Sequence, residues 1–213
     1  MNANSADPGR SDKGANPEAN EKLERATLGN GCFWCTEAVF TELKGVKSAV
    51  SGYSGGQVKN PTYEQVSTGR SGHAEVIQVT FDPQVISFAK LLEVFFQTHD
   101  PTTLNAQGPD HGPQYRSAIF YHSEEQKQEA EEIIAKLEDA GAFDAPIVTE
   151  VTEFEKFYPA EGYHQEYFAN NPRDRYCRAM IQPKLGKLRK AFADILKEKD
   201  EPRSDVAIEV ETE

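Results

Sequence analysis

The stretch Gly29–Phe40, GNGCFWCTEAVF, holds two of the chain's three cysteines, and between them lies its only tryptophan. A short strand precedes it, and apolar residues at helical spacing predict a helix from Cys32 to Leu43. Free N–H groups and the helix dipole favour an anion at a helix start, so we expect a stabilised thiolate at Cys32. Cys35 follows three residues later on the same helix face, within disulfide reach.

The cysteine pair permits three interpretations at this point. Two buried cysteines can act as small hydrophobic residues, or they can form part of a zinc site, or they can form a thiol active site. Zinc needs about four ligands, and Cys177 with five scattered histidines provides no second close pair. Phe33 and Trp34 are core residues by type, but beside a reactive thiol they would line a small apolar pocket.

Length and charge limit the class of protein. The chain has 213 residues and a net charge of −12, which disfavours a general nucleic-acid or anionic-membrane surface. No apolar run approaches the ~20 residues that cross a bilayer, and the first residues lack the apolar segment of a secretory signal. Three cysteines are too few for a disulfide framework, so we expect a reducing, cytoplasmic location.

The chain divides into three parts by composition. Residues 1–22 predict a disordered tail, residues 23–197 one catalytic domain, and residues 198–213 an acidic flexible tail. Within the domain, strands and helices alternate irregularly, which predicts an α+β fold with a mixed sheet and packed helices. We expect strands at 26–31, 46–54, 73–81, 116–122 and 146–151, and helices starting at Cys32, Ser87, Ser123, within 159–170 and near Pro183.

Glu75 lies near the start of the strand HAEVIQVTF. Its side of the strand also carries Ile77, Val79 and Phe81, and neither side is purely polar, so both faces should be covered. A buried carboxyl keeps its proton near neutral pH and can act as an acid. The alternative is that Glu75 reaches solvent at the strand end, and the pattern alone leaves both open.

Other polar residues gain no role from spacing alone. Tyr63 and Tyr115 lie at loop edges, Asp110 is a loop aspartate of the kind that forms turns, and the histidines form no recognisable triad. Four basic residues near the C-terminus, Lys184, Lys187, Arg189 and Lys190, are most simply a solvated helix face.

Eight motifs in order resemble one family, the A-type peptide methionine sulfoxide reductases. They are GCFWC, GYSGG, NPTYEQV, GHAEVIQVTFDP, HDPTTLNAQG, QYRSAIF, FYPAEGYHQEYF and NPRDRYC. The resemblance runs from about Ala26 to Lys190. It implies a mixed sheet around a βαββαβ core, a ferredoxin-like plait, and an oxidoreductase that reduces methionine S-sulfoxide, free or in oxidised proteins, in protein repair and oxidative stress defence.

The resemblance also implies roles for matching residues. Cys32 would be the nucleophile and Glu75 the acid. Phe33 and Trp34 would form the pocket for the S-methyl group, Tyr63 and Tyr115 would hydrogen-bond the sulfoxide oxygen, and Asp110 would bind substrate. Cys32 would become a sulfenic acid, a second thiol would condense with it, and thioredoxin would restore the thiols. No bound cofactor or metal is expected, and we expect a monomer.

Two departures from the family pattern matter. Many members have Gly where this chain has Cys35, and no second cysteine follows Cys177, so Cys35 and Cys177 are both candidates to resolve the sulfenic acid. Cys177 lies in a stretch that looks mobile and could swing toward Cys32. Pro109 replaces a common Asn beside Asp110. One rival function is a redox sensor without turnover, which would have lost the nucleophile or the acid, yet Cys32 and Glu75 are both present. The other is a general disulfide oxidoreductase, which would not require Glu75, Tyr63 or Tyr115.

Overall fold

A six-stranded mixed sheet forms the centre of the protein. The computed structural model describes residues 22–198, so apart from Lys22 and Glu198 the two predicted tails lie outside the described residues. The sheet order is β7-β6-β1-β3-β2-β8. β6 and β7 are parallel and the other neighbours are antiparallel. The strands are β1 Glu24–Asn30, β2 Val46–Ser54, β3 Ala74–Phe81, β6 Ser117–Tyr121, β7 Glu150–Glu153 and β8 Phe157–Pro159.

Helices pack against this sheet, which confirms the α+β prediction. A further two-stranded hairpin, β4 Ala106–Gln107 with β5 Asp110–His111, lies in the long loop before β6. The helices are α1 Phe33–Phe40, α2 Tyr63–Ser67, α3 Phe88–Thr98, α4 Glu124–Asp139, α5 Tyr167–Asn170 and α6 Gln182–Ala191. A π-helical turn, Cys177–Ile181, leads directly into α6.

The core lies mainly on one face of the sheet. Ile77, Val79 and Phe81 of β3 belong to the large apolar cluster, together with the inner faces of α1, α3 and α6. Ala74 and Val76 point to the opposite face, where they join a smaller cluster. The prediction that β3 is covered on both faces is therefore confirmed.

The junction between β1 and α1 is fixed by local polar contacts. Gly31 has φ +96°, and a Cβ there would lie 2.6 Å from the Gln107 side chain, so the turn requires glycine. The Thr36 hydroxyl donates a hydrogen bond to the Asn30 side chain, which ties the first turn of α1 to the end of β1. The chain therefore enters α1 in one defined direction at Cys32.

Several element boundaries differ from the sequence predictions. α1 ends at Phe40 rather than Leu43. The strand predicted at 146–151 lies at Glu150–Glu153, because the Val148 N–H instead bonds Pro101 in a loop. Ser123 caps α4 as predicted, but the Gln126 side chain accepts from the His122 N–H and not from Ser123, so the capping box is incomplete.

Two short elements were missed by the sequence prediction. α2 begins with a complete capping box, in which Thr62 and Gln65 bond each other's backbone N–H groups. The β4–β5 hairpin lies in a loop for which the sequence analysis predicts neither a strand nor a helix. Gly108 and Pro109 form its tip, with Gly108 at φ +57°.

Candidate active site

A cavity of about 140 Å³ opens at the start of α1. Its lining residues are Cys32, Phe33, Trp34, Tyr63, Glu75, Asp110, Tyr115 and Tyr176. Seven of these eight are residues that the sequence identified as candidates. They come from five separate segments, so the fold brings together the motifs that the sequence separates.

Cys32 is the N-cap residue of α1 and is 7% exposed. The N–H of Phe33, the first helical residue, donates to the Glu75 carboxyl at 3.1 Å, and no N–H caps the thiol. Burial raises the pKa of the Cys32 thiol well above its ordinary value, and hydrogen bonding with Cys35 and the nearby Glu75 charge raise it further. The predicted thiolate is therefore wrong for the substrate-free protein, in which Cys32 keeps its proton.

Glu75 is buried, 2% exposed, on the helix-covered face of β3. Burial raises the pKa of its carboxyl to about 8, although the hydrogen bond from Phe33 acts in the opposite direction. The carboxyl is therefore mostly protonated at neutral pH, and the alternative of a solvent-exposed Glu75 is wrong.

Phe33 and Trp34 form an apolar wall. Phe33 is buried, and the half-buried Trp34 indole stacks on Tyr167 with ring centres 3.6 Å apart and an interplanar angle of 6°. The indole N–H donates to His164 Nδ1 at 3.0 Å. Because His164 is buried and also packs on Phe33, it fixes both aromatic rings at the cavity.

Tyr63 and Tyr115 enter from loops that other residues hold in place. One oxygen of the Glu161 carboxylate accepts from the Tyr63 N–H at 2.8 Å, and the other accepts from the Tyr53 hydroxyl at 2.9 Å. Arg116 donates to Pro113 O and Gly72 O and forms an ion pair with Glu150, so it anchors the turn that ends at Tyr115.

Both tyrosine hydroxyls remain proton donors. Burial, with the nearby Glu75 charge as the next cause, raises the pKa of Tyr63 and of Tyr115 above the ordinary value. A neutral phenol can donate a hydrogen bond to an oxygen in the cavity, whereas a phenolate cannot.

Asp110 reaches the cavity from β5. Its carboxylate accepts a hydrogen bond of 2.7 Å from the Tyr176 hydroxyl. Pro109 lies at the exposed tip of the hairpin, so the departure from the family pattern leaves Asp110 lining the cavity.

The other two cysteines, Cys35 and Cys177, do not line the cavity. All three cysteines are free and buried. The Cys35 Sγ lies 3.7 Å from the Tyr176 hydroxyl. The interaction with Cys32 is the largest cause that lowers the pKa of the Cys35 thiol, to about 7. Cys177 has no exposed surface and forms part of the π-helical turn, and the mobility predicted for the stretch before it stays a prediction.

Sequence reasoning missed three residues of the site, Tyr176, His164 and Arg116. Each lies next to or within a motif that the sequence analysis used, respectively NPRDRYC, FYPAEGYHQEYF and QYRSAIF. Their positions become clear only when distant segments meet: Tyr176 is 66 residues from Asp110. Among residues 22–198, no group of three or more His, Cys, Asp or Glu side chains is arranged to hold a metal ion. No helix in the same span is long and apolar enough to cross a membrane.

Comparisons with known proteins agree on one family. A sequence model described as peptide methionine sulfoxide reductase matches residues 24–196. The chain is 56% identical over 174 residues to the peptide methionine sulfoxide reductase MsrA of Thermus thermophilus, covering 82% of this chain and 98% of that protein. It is 54% identical over 174 residues to the MsrA of Polynucleobacter asymbioticus, covering 82% of this chain and 92% of that protein.

Solved structures lead to the same family. Reduced Mxr1 from Saccharomyces cerevisiae matches with a TM-score of 0.67 and 35% identity, covering 73% of this chain and 90% of that one. The methionine sulfoxide reductase A of Corynebacterium diphtheriae matches with a TM-score of 0.65 and 34% identity, covering 73% and 78%.

Proposed function

The chain belongs to the peptide methionine sulfoxide reductase family and is an oxidoreductase, and we propose that it reduces methionine S-sulfoxide at Cys32 with Glu75 as the acid. Free methionine sulfoxide and oxidised proteins are its substrates, and protein repair under oxidative stress is its role. The observation that carries this proposal is the protonated, buried Glu75 in the same small cavity as the Cys32 thiol.

The cavity matches the parts of the substrate. The S-methyl group lies against Phe33 and Trp34, which exclude water and provide apolar contact. The sulfoxide oxygen accepts hydrogen bonds from Tyr63, Tyr115 and Glu75. These donors stabilise the charge that develops on the oxygen as its bond to sulfur weakens. Asp110 and Tyr176 bind the polar part of the substrate next to the sulfoxide.

The first step transfers oxygen from the substrate sulfur to Cys32. Glu75 gives its proton to the sulfoxide oxygen, which makes the substrate sulfur electron-poor. Cys32 loses its proton to the Glu75 carboxylate as it attacks, so the raised pKa of the free thiol does not prevent reaction. The substrate S–O bond breaks, the methionine sulfur gains two electrons, and the Cys32 sulfur loses two and carries the oxygen as sulfenic acid.

The second step returns the site to its reduced form. A thiol, Cys35 or Cys177, condenses with the sulfenic acid to give a disulfide and water. Thioredoxin or another dithiol protein then reduces this disulfide by exchange. The proposal needs no bound cofactor.

Further properties follow as proposals. The order β6-β1-β3-β2 supports a ferredoxin-like βαββαβ core for the catalytic domain at residues 23–197. The large exposed apolar side chains of the described residues, Leu23, Val85, Leu104 and Tyr163, are scattered, which supports a monomer. Light scattering of the full chain tests the monomer, and fractionation of cells tests a cytoplasmic location.

A single-turnover reaction tests the function. Reduced protein is mixed with each epimer of methionine sulfoxide in a blocked peptide, with no recycling reductant. We expect one methionine per protein from the S epimer and the loss of two free thiols. Folded protein that forms no methionine from either epimer would overturn the proposal, and turnover of the R epimer alone would overturn the stereochemistry.

A further inference from the structure

Glu161 connects the short helix α2 to the central sheet beside the cavity. We propose that Glu161 is a positioning residue for the reductive step, and that its carboxylate sets the place of Tyr63 relative to the strands that carry Glu75. This inference rests on the proposed function, because Tyr63 has a reacting oxygen to bind only when a sulfoxide occupies the cavity.

The Glu161 carboxylate bridges α2 and β2. One oxygen accepts a hydrogen bond from the Tyr63 N–H at 2.8 Å, and the other accepts one from the Tyr53 hydroxyl at 2.9 Å. Tyr63 is the first residue of α2, and the first N–H groups of a helix have no partner within the helix. Glu161 supplies that partner, so the bond fixes the backbone of a residue whose side chain lines the cavity.

The helix α2 depends on contacts with other parts of the protein. It is too short to be stable alone, and among its five described residues Val66 alone is buried. At its N-terminal end the Tyr63 backbone bonds Glu161, and the Tyr63 ring packs on His164 with ring centres 4.4 Å apart. The segment that begins at Glu161 therefore holds both the backbone and the ring of Tyr63.

Tyr53 provides the end of this bridge that lies in the sheet. It is fully buried in β2, and its partner in the ladder with β3 is Glu75. Residues directly opposite each other on neighbouring strands have side chains on the same face, so Tyr53 and Glu75 share the helix-covered face. Burial, and next the bond to Glu161, raise the pKa of Tyr53 above its ordinary value, so its hydroxyl keeps the proton that it donates. The bridge therefore relates the Tyr63 donor to the Glu75 acid, which act on the same sulfoxide oxygen in the proposed reaction.

The backbone on both sides of Glu161 is tied to β2. The Ala160 N–H donates to Ser51 O at 2.9 Å. The Gln165 side chain accepts from the Ser51 N–H at 3.0 Å and donates to Ser51 O at 2.9 Å. The Glu161 C=O accepts from the His164 N–H at 2.8 Å, which closes the turn between them. The position at which the Glu161 side chain begins is therefore set by β2 and not by α2.

The Glu161 carboxyl group is ionised at neutral pH. Burial acts to raise its pKa, but hydrogen bonds from the Tyr63 N–H, from its own N–H and from the Tyr53 hydroxyl outweigh burial, and the pKa lies below its ordinary value. An ionised carboxylate accepts at both oxygens, and its hydrogen bonds are stronger than those between neutral groups. Glu75, with a pKa of about 8, keeps its proton. The two carboxyl groups therefore have different tasks, one as an acceptor that holds Tyr63 and one as a donor to the substrate.

The experiment compares substitutions that keep or remove the two hydrogen bonds. Glu161→Gln keeps the length of the side chain and an acceptor for the Tyr63 N–H. Glu161→Asp keeps the charge but is shorter by one CH₂ group, so it cannot span both partners, and Glu161→Ala removes both bonds. Glu155→Ala, which changes an exposed carboxylate earlier in the same segment, is the matched control. Each variant is made alone and together with Tyr63→Phe, and single-turnover methionine formation is followed over a range of blocked methionine S-sulfoxide concentrations.

We expect Glu161→Ala to lower the rate at saturating substrate by about three- to thirtyfold, with the half-saturating concentration within about twofold of wild type. Tyr63 acts on the oxygen as charge develops there, so its displacement affects the rate more than binding. Glu161→Asp should lose about three- to tenfold in rate, whereas Glu161→Gln should stay within about twofold of wild type. In the Tyr63→Phe background Glu161→Ala should change the rate by less than about twofold, because the hydroxyl that Glu161 positions is absent.

A role in folding alone would give a different pattern. The same rate factor for Glu161→Ala in the wild-type and Tyr63→Phe backgrounds would overturn the inference, and so would a Glu161→Asp rate equal to that of Glu155→Ala. If Glu161→Ala does not fold by its melting curve, the comparison of Glu161→Asp with Glu161→Gln decides.

If wild type forms no methionine, the proposed function fails instead. Hydrogen exchange at the Tyr63 amide then tests the positioning without any reaction. Exchange should be about fivefold or more faster in Glu161→Asp than in wild type, and near the wild-type rate in Glu161→Gln. Equal exchange in Glu161→Asp and wild type would show that Glu161 does not hold Tyr63.

Discussion

Two cysteine-bearing regions meet at the cavity, and they are built differently. At the β1–α1 junction, Cys32 follows a strand in the centre of the sheet, and polar bonds to Asn30 and Glu75 fix the first turn of α1. Cys177 lies in a π-helical turn of the C-terminal segment, which buries Ile181 and Leu185 in the core and carries the Tyr176–Asp110 hydrogen bond. π-Helical turns often mark functional sites.

The difference suggests that the two regions carry out different steps of the reaction. Oxygen transfer needs reacting atoms held in one geometry, so it belongs where the backbone is fixed by the sheet. Passing a disulfide to an external protein needs a second thiol outside the sheet, and Cys177 lies in a helical segment that is not part of the sheet. The predictions below remove one contribution at a time from one of the two regions.

The largest effect is expected for Cys32→Ser. A serine hydroxyl is a far weaker nucleophile, so no methionine should form even in a single turnover. Cys177→Ser should instead release one methionine per protein and fail in recycling by a dithiol protein. Methionine formed by Cys32→Ser in a single turnover would show that Cys32 is not the nucleophile, and the two cysteine-bearing regions would then no longer differ in this respect.

Glu75→Gln tests the acid at the rigid junction. Glutamine can still accept the Phe33 N–H but offers no acidic proton, so the single-turnover rate should fall by about 10²- to 10⁴-fold. In wild type the same rate should decline as pH rises through about 8, where the carboxyl loses its proton. A rate in Glu75→Gln equal to wild type would refute the acid role.

The same substitution should stabilise the protein. The pKa of Glu75 is about 8 in the folded state and near its ordinary 4.5 when unfolded, so the native state holds the proton longer. The free energy of unfolding therefore falls as pH rises from 4.5 to 8. By this linkage Glu75→Gln should gain up to about 4 kcal/mol over wild type at pH 8 to 9, and little below pH 4.5. Urea unfolding at both pH values measures the difference.

Tyr63→Phe and Tyr115→Phe remove one oxygen donor each. Each should lower kcat/KM by about ten- to a hundredfold, less than Glu75→Gln because the other donors remain. Tyr121→Phe provides the matched control, because Tyr121 lies at the opposite end of β6 from Tyr115 and does not line the cavity. Equal values for all three variants would show that the cavity hydroxyls do not contact the reacting oxygen.

The smallest effect is expected for Tyr176→Phe. It removes the hydrogen bond to Asp110, with a cost of about 1 kcal/mol to the docking of the C-terminal segment. Hydrogen exchange of the amides at 175–181 should accelerate by about fivefold, while those of α1 stay at the wild-type rate. Equal acceleration in both regions would mean that the two are one cooperative unit.

The sequence predicted the parts of this site whose signals are local. Alternation in β3 placed Glu75 on an apolar face and left its burial open, and the spacing of Cys32 and Cys35 predicted a thiol pair at a helix start. The family motifs predicted Tyr63, Asp110 and Tyr115, and the cavity brings all of these together except Cys35, which does not line it. The same reasoning missed α2, although Thr62 and Gln65 have the spacing of a capping box.

Properties that depend on distant contacts were not predictable. The protonation state of Cys32 depends on burial and on Glu75, which takes the helix N–H that the dipole argument had assigned to the thiol. The partial burial of Lys184 depends on how α6 packs on α1, which no periodicity in α6 reveals. Tyr176 is held at the cavity by its hydrogen bond to Asp110, a residue of a hairpin that the sequence analysis did not predict.

The most direct test of the central claim traps the oxidised Cys32. In the double variant Cys35→Ser/Cys177→Ser no thiol remains to resolve a sulfenic acid, so dimedone can label it after one turnover with blocked methionine S-sulfoxide. We predict one methionine per protein and one dimedone adduct, located on Cys32 by peptide mapping. Methionine formed without an adduct on Cys32 would contradict the account.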